Sequence, residues 1–478
     1  MSFTSVGFFL FFTCFFALYW LCGNKSYKLQ NVLIVLASCL FYCLWDYKCL
    51  GLILLTTFTS YGSGLLIERH ESNRRTCKAI SFANIFINIS ILAFFKYCNF
   101  FISSFVELLG LFNVTADNVT LTIILPLGIS FYTFKAIGYS IDVYNKRVKP
   151  THDLVAFSAY VTFFLEIAAG PIDRATNLLQ QLQGNRSFKY ETGIDGTKQI
   201  LWGLFKKIVV ANNCAIYVNT IFSNPTNFSG STLAMAGILY TIQIYGDFSG
   251  YSDIAIGAGK LLGFDLAKNF KYPYFSRNVA EFWRRWHISL TSWFRDYIYI
   301  PLGGSRCSKW KIIRNTFIVY LVSGLWHGAN WTFIVWGIYH AFLFLPLILT
   351  GRNKKYKNNI AEGSRLPSWK ETLQMLSTFI LVSIGWIIFR AESIGQAGTI
   401  FQRIFTTSPS SLFINREYIL YILLSAIMFV VEWFKRDNEH AMVFTKAPIW
   451  LRFIICLAVA ICVFAFWGNE QVFIYSKF

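Results

Sequence analysis

Two histidines, His287 and His327, lie in aromatic surroundings within otherwise apolar sequence. Imidazole is the side chain whose ordinary pKa lets it accept and return a proton near neutral pH. Burial lowers that pKa and keeps the ring a neutral base. His327 follows an apolar run and adjoins Trp326, with Gly324 and Gly328 leaving space for a substrate. The pattern fits a general base, but it also fits a histidine that caps a helix or bonds between helices.

Residues 281–300 read EFWRRWHISLTSWFRDYIYI and separate into two faces at the helical period. One face holds the mainly aromatic set Trp283, Trp286, His287, Leu290, Phe294 and Tyr297, and the other holds Arg284, Arg285, Ser289, Ser292, Arg295 and Asp296. We expect such a helix to lie flat at the membrane interface or to line a wet cavity. An interfacial anchor would explain the Trp and Arg residues, but not His287 on the aromatic face.

Asp247 and Asp253 lie with Tyr251 among small residues in the string YGDFSGYSDIAIG. Glycines let a helix break or approach a neighbour closely, and acids at a break can bind a cation, orient a histidine or pair with arginine. A tight turn with two solvated acids is the alternative. LPLGISFYTFK from Leu125 and FLEIAAGPID from Phe164 place Pro and Gly within apolar sequence, which predicts interrupted or re-entrant helices.

The sequence contains no GxSxG, Walker A or HExxH motif, and no GxGxxG after a strand. An enzyme of this sequence would therefore lack a serine-hydrolase triad of its own. A histidine base, with the nucleophile supplied by the acceptor, would fit instead. The 11 cysteines form no CxxC pair and mostly lie in apolar runs, so we predict neither a disulfide framework nor a metal site.

Membrane helices must position these residues, because 55% of the 478 residues are hydrophobic and only 14% are charged. A membrane span needs about 20 mostly apolar residues. Apolar runs begin at Val6, Leu29, Cys49, Ala79, Thr122, Leu154, Thr232, Ile312, Trp331, Glu371, Glu417 and Trp450. Hydropathy thus predicts an all-α polytopic membrane protein with roughly 10 to 13 transmembrane helices.

The formal net charge of +19 would suggest nucleic acid as the partner of a soluble protein. Here the Lys and Arg residues concentrate in short connectors at 25–28, 69–78, 146–149 and 352–357, whereas the connectors 113–120 and 223–231 carry none. By the positive-inside rule, the first set is cytoplasmic and the N-terminus lies outside. The partner of the basic residues is then the lipid bilayer, and we predict no nucleic-acid binding.

No repeat of fixed period is visible, which argues against an inverted-repeat transporter. We expect a single membrane domain over residues 1–478, with N-terminal helices over 1–145, a core holding the polar block over 146–350, and C-terminal helices over 351–478. The first apolar run follows no Lys or Arg and precedes no small-x-small cleavage pattern, so we interpret it as a span and not as a secretory signal.

Five strings in this order resemble the membrane-bound O-acyltransferase family, in the bacterial branch typified by the membrane subunit of alginate O-acetyltransferase. They are LPLGISFYTF from Leu125, AGPIDRA from Ala169, DFSGYSDIAIG from Asp247, FWRRWHISLTSWFRDYIYIPLGG from Phe282 and GLWHGANW from Gly324. The resemblance extends to the closing FIYSKF and covers essentially the full chain. WRRWHISL followed by LWHGANW is far more specific than either histidine. The closing string departs in detail from the family's usual ending, and the role of Asp173 stays unassigned.

The resemblance implies many helices around a central tunnel, with re-entrant or interfacial helices, in the bacterial cytoplasmic (inner) membrane. It implies that His327 is the catalytic base and His287 a second functional histidine. It further implies no bound cofactor, and acetyl-CoA or another acyl thioester as donor substrate. Arg284, Arg285 and Arg295 are candidates to contact the phosphates of the donor. Positive-inside anchoring explains these arginines equally well.

The same resemblance implies that the acetyl group passes to an extracytoplasmic serine-hydrolase-like (SGNH) acetyltransferase partner and then to an exported polysaccharide, as in alginate biosynthesis. Substrate-binding or tunnel-lining residues are expected at Asp247, Tyr251, Asp253, Trp283, Arg284, Arg285, Trp286, Arg295, Asp296, Trp326, Asn330 and Trp331. Two other functions stay open. One is D-alanyl transfer to teichoic acid from a carrier-protein thioester, and the other is a polysaccharide export channel or transporter with the polar block as its pore.

Overall fold

The computed structural model describes residues 2–23, 26–114, 121, 123, 125–167, 170–407, 412–444, 447–468, 471 and 473–474. Throughout these ranges every regular element is helical, which confirms the all-α prediction. Several sequence features lie outside the described residues: Lys25, most of the connector 113–120, Thr122 at the start of a predicted span, Ala169, and the last four residues of the closing string.

The described chain divides into two compact units, the first of which comprises Met1–Tyr190 and Gly259–Ala267. Its helices are α1 (Val6–Gly23), α2 (Tyr27–Asp46), α3 (Leu50–Arg69), α4 (Arg74–Leu111), α5 (Ile129–Tyr144), α6 (Leu154–Thr162), α7 (Phe164–Ile167) and α8 (Gln180–Leu182). A 3₁₀ turn, Tyr47–Cys49, joins α2 to α3, and a π-helical turn, Ala175–Leu179, precedes α8.

In the first unit, helix ends lie beside both of the apolar strings that contain Pro and Gly. Gly128 adopts a φ of 66° just before α5, and a Cβ there would collide with the carbonyl of Ile167. The backbone leaves the helical conformation at Phe163, between α6 and α7. Asp173 accepts hydrogen bonds from Asn177 Nδ2 at 2.7 Å and the Ala267 amide at 2.8 Å. Asp173 thus joins the 173–177 segment to the separate stretch 259–267.

The second unit comprises Glu191–Ala258 and Lys268–Phe478, so that the first residue of its first helix and the last three residues of its third helix belong to the first unit. Its helices are α9 (Tyr190–Leu204), α10 (Asn212–Ser223), α11 (Gly230–Leu261), α12 (Val279–Arg285), α13 (Ile288–Phe294), α14 (Lys309–His327), α15 (Trp331–Leu349), α16 (Trp369–Arg390), α17 (Ile394–Thr406), α18 (Arg416–Phe434) and α19 (Ile449–Ala465). Phe205–Ala211 and Arg295–Tyr299 are π-helical, and Pro225–Asn227, Pro273–Phe275 and Arg352–Lys354 are 3₁₀ turns. Both predicted histidines belong to this unit.

Six stretches of the described chain are long and apolar enough to cross a membrane. They are Val6–Gly23, Tyr27–Arg69, Arg74–Leu111, Trp331–Leu349, Trp369–Arg390 and Arg416–Phe434, with shorter apolar helices at Leu154–Ile167 and Ile449–Ala465. The chain is therefore a multi-pass membrane protein. The larger number of spans expected from sequence also included helices such as α11 and α14, whose polar residues lower their hydropathy.

Residues 281–300 do not form the single amphipathic helix that the sequence predicts. The chain breaks between α12 and α13, where His287 adopts a left-handed φ of 42°. Arg285 and Ser289, placed on the polar face by the helical period, are buried. Their burial is tolerated because each side chain has a hydrogen-bond partner. Glu281 accepts from Arg285 at 2.9 Å, and Asn269 accepts from Ser289 at 2.6 Å.

The predicted break or tight turn around Asp247 and Asp253 is also wrong, because α11 runs through both residues without interruption. The glycines serve close approach instead: a Cβ on Gly250 would lie 2.7 Å from the Gly203 carbonyl oxygen. This approach lets lysines, and not arginines, pair with the acids. Lys207 Nζ lies 2.5 Å from Asp247 Oδ1, and Lys206 Nζ lies 2.6 Å from Asp253 Oδ2.

Helices α14 and α15 touch backbone to backbone. A Cβ on Gly324 would collide with the carbonyl of Phe333, and one on Gly337 would collide with the carbonyl of Tyr320. Small residues at membrane helix interfaces permit this kind of approach. The contact fixes the end of α14, where His327 is the last helical residue.

We expect Gly324→Ala to destabilise the protein by about 2 kcal/mol, because the added methyl group meets backbone that cannot move aside like a side chain. Gly398→Ala is the control. Gly398 lies inside α17, and a Cβ there would meet no atom within 4 Å, so alanine should stabilise the helix by about 0.5 to 1 kcal/mol. Thermal unfolding of the detergent-solubilised variants measures both effects. Equal melting temperatures of Gly324→Ala and Gly398→Ala would contradict the close contact between α14 and α15.

Candidate active site

His327 ends α14 inside an aromatic cage. His327 is buried, with only 3% of its surface exposed. The imidazole centroid lies 5.0 Å from those of Trp326 and Trp336 and 5.2 Å from that of Phe389. The next residue, Gly328, is extended, and a Cβ there would collide with the ring of Phe333. Trp336 of α15 and Phe389 of α16 thereby enclose the imidazole. Only glycine at position 328 lets the backbone after His327 pack this closely against Phe333.

His287 is buried in the break between α12 and α13, where it is 1% exposed. Its ring centroid lies 4.6 Å from that of Phe248 on α11. Neither ring nitrogen has a hydrogen-bond partner among the described residues. Burial lowers the pKa of His287 from its ordinary 6.5 to about 3, so the imidazole is neutral at physiological pH.

The two histidines approach each other across one indole. The Trp326 ring centroid lies 5.9 Å from that of His287 and 5.0 Å from that of His327. Residues that are 40 positions apart in the sequence are therefore neighbours in the second unit. Two buried imidazoles among aromatic rings form a site from which water is excluded, and in which a neutral ring can donate one hydrogen bond and accept another.

A cavity of about 280 Å³ opens beside this site. Its apolar wall includes Trp283, Leu290, Phe294, Tyr320 and Phe344, and its cationic residues are Arg284, Arg295 and Lys354. Ser323, which also lines it, lies four residues before His327 on the same face of α14. The cavity thus leads from basic side chains to the helical turn that precedes His327.

A second, more open cavity of about 760 Å³ adjoins the first at Lys354. It is lined by Arg277, Lys354, Lys355 and Lys357, together with Glu362, Glu371 and neutral residues of the 356–368 loop. Arg277 is already engaged, since it pairs with Glu281 at 3.0 Å and contacts the Tyr356 ring at 4.3 Å. Lys355 also contacts the Tyr356 ring, at 5.3 Å, so Lys354 and Lys357 are the cations best placed to meet an anionic ligand.

The chain matches the family model described as "MBOAT, membrane-bound O-acyltransferase family" over residues 3–355. It belongs to the membrane-bound O-acyltransferase family. The resemblance deduced from the ordered strings is thereby confirmed, and the protein is an O-acyltransferase.

Three relatives illustrate the range of this family. The chain is 38% identical over 405 residues to the Pseudomonas aeruginosa protein named "Probable alginate O-acetylase AlgI", covering 84% of this chain and 74% of that protein. It is 30% identical over 505 residues to a peptidoglycan O-acetyltransferase of Helicobacter pylori, covering 95% and 92%. It is 32% identical over 286 residues to a teichoic acid D-alanyltransferase of Bacillus subtilis, covering 56% and 69%.

Three of the residues expected to contact substrate in this acyltransferase, Trp283, Arg284 and Arg295, line the smaller cavity. Arg295 also pairs with Asp296 at 2.6 Å. Arg285 does not line this cavity but is buried against Glu281. The Trp286 ring packs 4.9 Å from that of Trp386.

The remaining expected residues have other surroundings. Asp247 and Asp253 pair with lysines, and Asp247 Oδ2 also accepts a 2.8 Å hydrogen bond from the Ile474 amide. The Tyr251 ring lies 4.3 Å from that of Phe473. Asn330 caps α15 by accepting from the Thr332 amide at 3.0 Å. Trp331 is 48% exposed. The acids and Asn330 thus have clear structural partners.

Sequence reasoning missed His340, a fully buried residue of α15. Its Nδ1 accepts a 3.4 Å hydrogen bond from Trp283 Nε1, and its ring lies 5.0 Å from that of Trp336, which also contacts His327. His340 therefore supports an aromatic residue that lines the smaller cavity. An ionisable residue in the middle of a predicted span was the available signal.

The depressed pKa of His287 predicts a measurable dependence of stability on pH. An unfolded chain binds the proton near pH 6.5, whereas the folded protein binds it only near pH 3. The contribution of His287 to folding is therefore complete above pH 6.5 and is lost progressively as the pH falls toward 3. Between pH 7 and pH 5 we expect the wild type to lose about 2 kcal/mol more stability than His287→Gln.

Melting temperatures in detergent at the two pH values measure this difference. His152→Gln is the control, because the His152 side chain is 73% exposed. Parallel loss of stability in the wild type and His287→Gln would mean that His287 titrates normally.

Proposed function

We propose that this acyltransferase moves an acetyl group from a cytoplasmic acyl thioester, acetyl-CoA, across the membrane for O-acetylation of an exported or cell-surface polysaccharide, with His327 as general base. The observation that carries the proposal is the position of His327. Aromatic rings enclose its imidazole. His327 lies one helical turn after Ser323, and Ser323 lines the smaller cavity, which also contains cationic residues.

The two adjoining cavities support a nucleotide-bearing thioester as the donor. The mainly apolar cavity of about 280 Å³ suits a narrow acyl-pantetheine arm. The cavity of about 760 Å³, with Lys354, Lys355 and Lys357, suits the phosphates of the nucleotide. Lys354 lines both cavities, so one molecule could extend from one into the other.

In the proposed reaction, His327 takes the proton from the attacking hydroxyl group as its oxygen bonds to the acyl carbon. The carbon–sulfur bond of the thioester then breaks, and the proton passes to the departing thiolate. We assign to His287 a hydrogen bond to the acyl carbonyl oxygen, where negative charge develops. Its neutrality and its unpartnered nitrogens among the described residues support this role. The aromatic enclosure would keep water from hydrolysing the thioester.

The names of the relatives support the acyl group and the class of acceptor. The alginate and peptidoglycan relatives are named for O-acetyl transfer, and their matches cover 84% and 95% of this chain. We propose that the acetyl group reaches the polysaccharide through an extracytoplasmic serine-hydrolase-like (SGNH) partner, at the bacterial inner membrane, with the N-terminus outside. The connectors that carry Lys and Arg would then face the cytoplasm.

D-alanyl transfer is the second candidate, because a teichoic acid D-alanyltransferase is 32% identical to this chain. That match covers only 56% of the chain, and a carrier-protein thioester would not need a cationic nucleotide cavity beside the site. Acetyl transfer is therefore the better supported function. Membership in an acyltransferase family favours an enzyme over the export channel.

We expect His327→Ala to lower acetyl transfer by at least about 100-fold, because general base catalysis typically contributes that much. Membranes containing the variant would be given radiolabelled acetyl-CoA with the partner and the polysaccharide, and label in the polysaccharide would be counted. His152→Ala should retain full activity, since His152 is an exposed residue of the first unit. Transfer by His327→Ala at the wild-type rate would refute the assignment of the base.

Lys354→Glu should raise the KM for acetyl-CoA about tenfold and change kcat little, because it removes a cation from both cavities without reaching His327. Arg352→Glu is the matched control. It reverses a charge in the same turn, but Arg352 lines neither cavity. An unchanged KM in Lys354→Glu, or equal use of an acylated carrier protein, would contradict a nucleotide-bearing donor.

A further inference from the structure

We propose that Asn269 is a positioning residue for the reaction, which fixes the backbone turn at His287 and thereby aims the imidazole. The inference rests on the proposed role of His287. It concerns a residue in the connector between α11 and α12, outside the strings that carry the family resemblance.

No hydrogen bond holds the ring of His287, since neither of its nitrogens has a partner among the described residues. The direction of the ring must therefore come from packing against Phe248 and from the backbone. That backbone is in the left-handed region, with φ at 42°, a conformation that a bulky residue adopts at a cost. Such a conformation persists only where neighbouring contacts enforce it.

Asn269 supplies contacts of this kind. It is fully buried, and its carbonyl oxygen accepts a 2.9 Å hydrogen bond from the amide of Ile288, the residue after His287. Its side-chain Oδ1 accepts from Ser289 Oγ at 2.6 Å, and its Nδ2 donates to Ser252 Oγ at 3.0 Å. One residue therefore binds the start of α13 twice and ties it to α11.

The same connector also holds the chain before His287. The Lys271 amide donates a 3.0 Å hydrogen bond to the carbonyl oxygen of Arg285. Residues 269–271 thus brace the turn on both sides. Ser252, to which Asn269 is tied, lies one helical turn beyond Phe248, whose ring packs on His287. Ser252, which binds Asn269, and Phe248, which packs on His287, consequently lie on the same face of α11.

The side chain of Asn269 is suited to this task because an amide both accepts and donates. Alanine would remove the bonds to Ser289 and Ser252 and would leave the backbone bond to Ile288. The turn would then lose its tie to α11, and His287 could leave its left-handed conformation. Small displacements of a catalytic group are costly, since a misplacement of about 1 Å can lower a rate about 100-fold.

The test compares Asn269→Ala with Ser289→Ala and Ser383→Ala in the full-length, detergent-solubilised protein. We expect Asn269→Ala to lower kcat for acetyl transfer about tenfold or more, with the KM for acetyl-CoA within about twofold of wild type. Ser289→Ala removes one of the two side-chain bonds and should show a smaller loss of the same kind, and it serves if Asn269→Ala does not fold. Ser383→Ala should behave as wild type, because Ser383 Oγ bonds within its own helix, α16, to the Phe379 carbonyl.

A second readout follows the position of His287 independently of activity. Diethyl pyrocarbonate modifies accessible imidazoles, and mass spectrometry can locate the label. Buried His287 should be protected in the wild type and labelled in Asn269→Ala. Protection of His287 with unchanged kcat in both Asn269→Ala and Ser289→Ala would overturn the inference.

The two readouts separate this inference from the proposed function. If His287→Ala transfers acetyl at the wild-type rate, the role assigned to His287 fails, whereas labelling of His287 in Asn269→Ala would still support the brace. If His287→Ala is inactive and Asn269→Ala has a normal kcat with His287 protected, the proposed function stands and the brace is refuted.

Discussion

The pairing of buried charge is the constraint on which the second unit depends. An unpaired ion in apolar surroundings costs several kcal/mol, so a buried acid needs a cation or hydrogen-bond donors within bonding distance. The ion pairs Lys207–Asp247 and Lys206–Asp253 hold the π-helical segment before α10 against α11. Glu281 serves both Arg277 and Arg285 and so holds α12 to the preceding turn.

The neutral imidazole of His287 differs from these paired charges. It is buried without a hydrogen-bond partner among the described residues, a cost that packing alone does not repay. A group in that condition is ready to bond with a substrate that brings its own polar atoms. His327, enclosed by Trp336 and Phe389, lies on the other side of the Trp326 indole.

Close backbone packing produces this arrangement. Gly324 and Gly337 bring α14 and α15 together, and Gly250 brings α11 against α9. Where the membrane offers no hydrophobic drive for helix association, contacts of this kind supply dispersion energy and fix the register. His327 ends a helix whose register is set in this way, and His287 packs on the helix that Gly250 places. The glycines therefore help to position both histidines.

The sequence by itself determined the membrane helices, because apolar runs of sufficient length have one stable conformation in lipid: α1, α15 and α18 begin within one residue of the predicted positions. The ordered strings also identified the family, and they singled out His287 and His327, whose catalytic role stays a prediction. Only the tertiary structure decided the break at His287, the lysine partners of Asp247 and Asp253, and the contacts of His340 and Asn269. Each of these depends on which distant residue lies opposite, and helical periodicity carries no information about the neighbouring helix. The same physical reason explains why the cavity beside His327 could not be foreseen: its walls come from helices whose side chains meet only after packing.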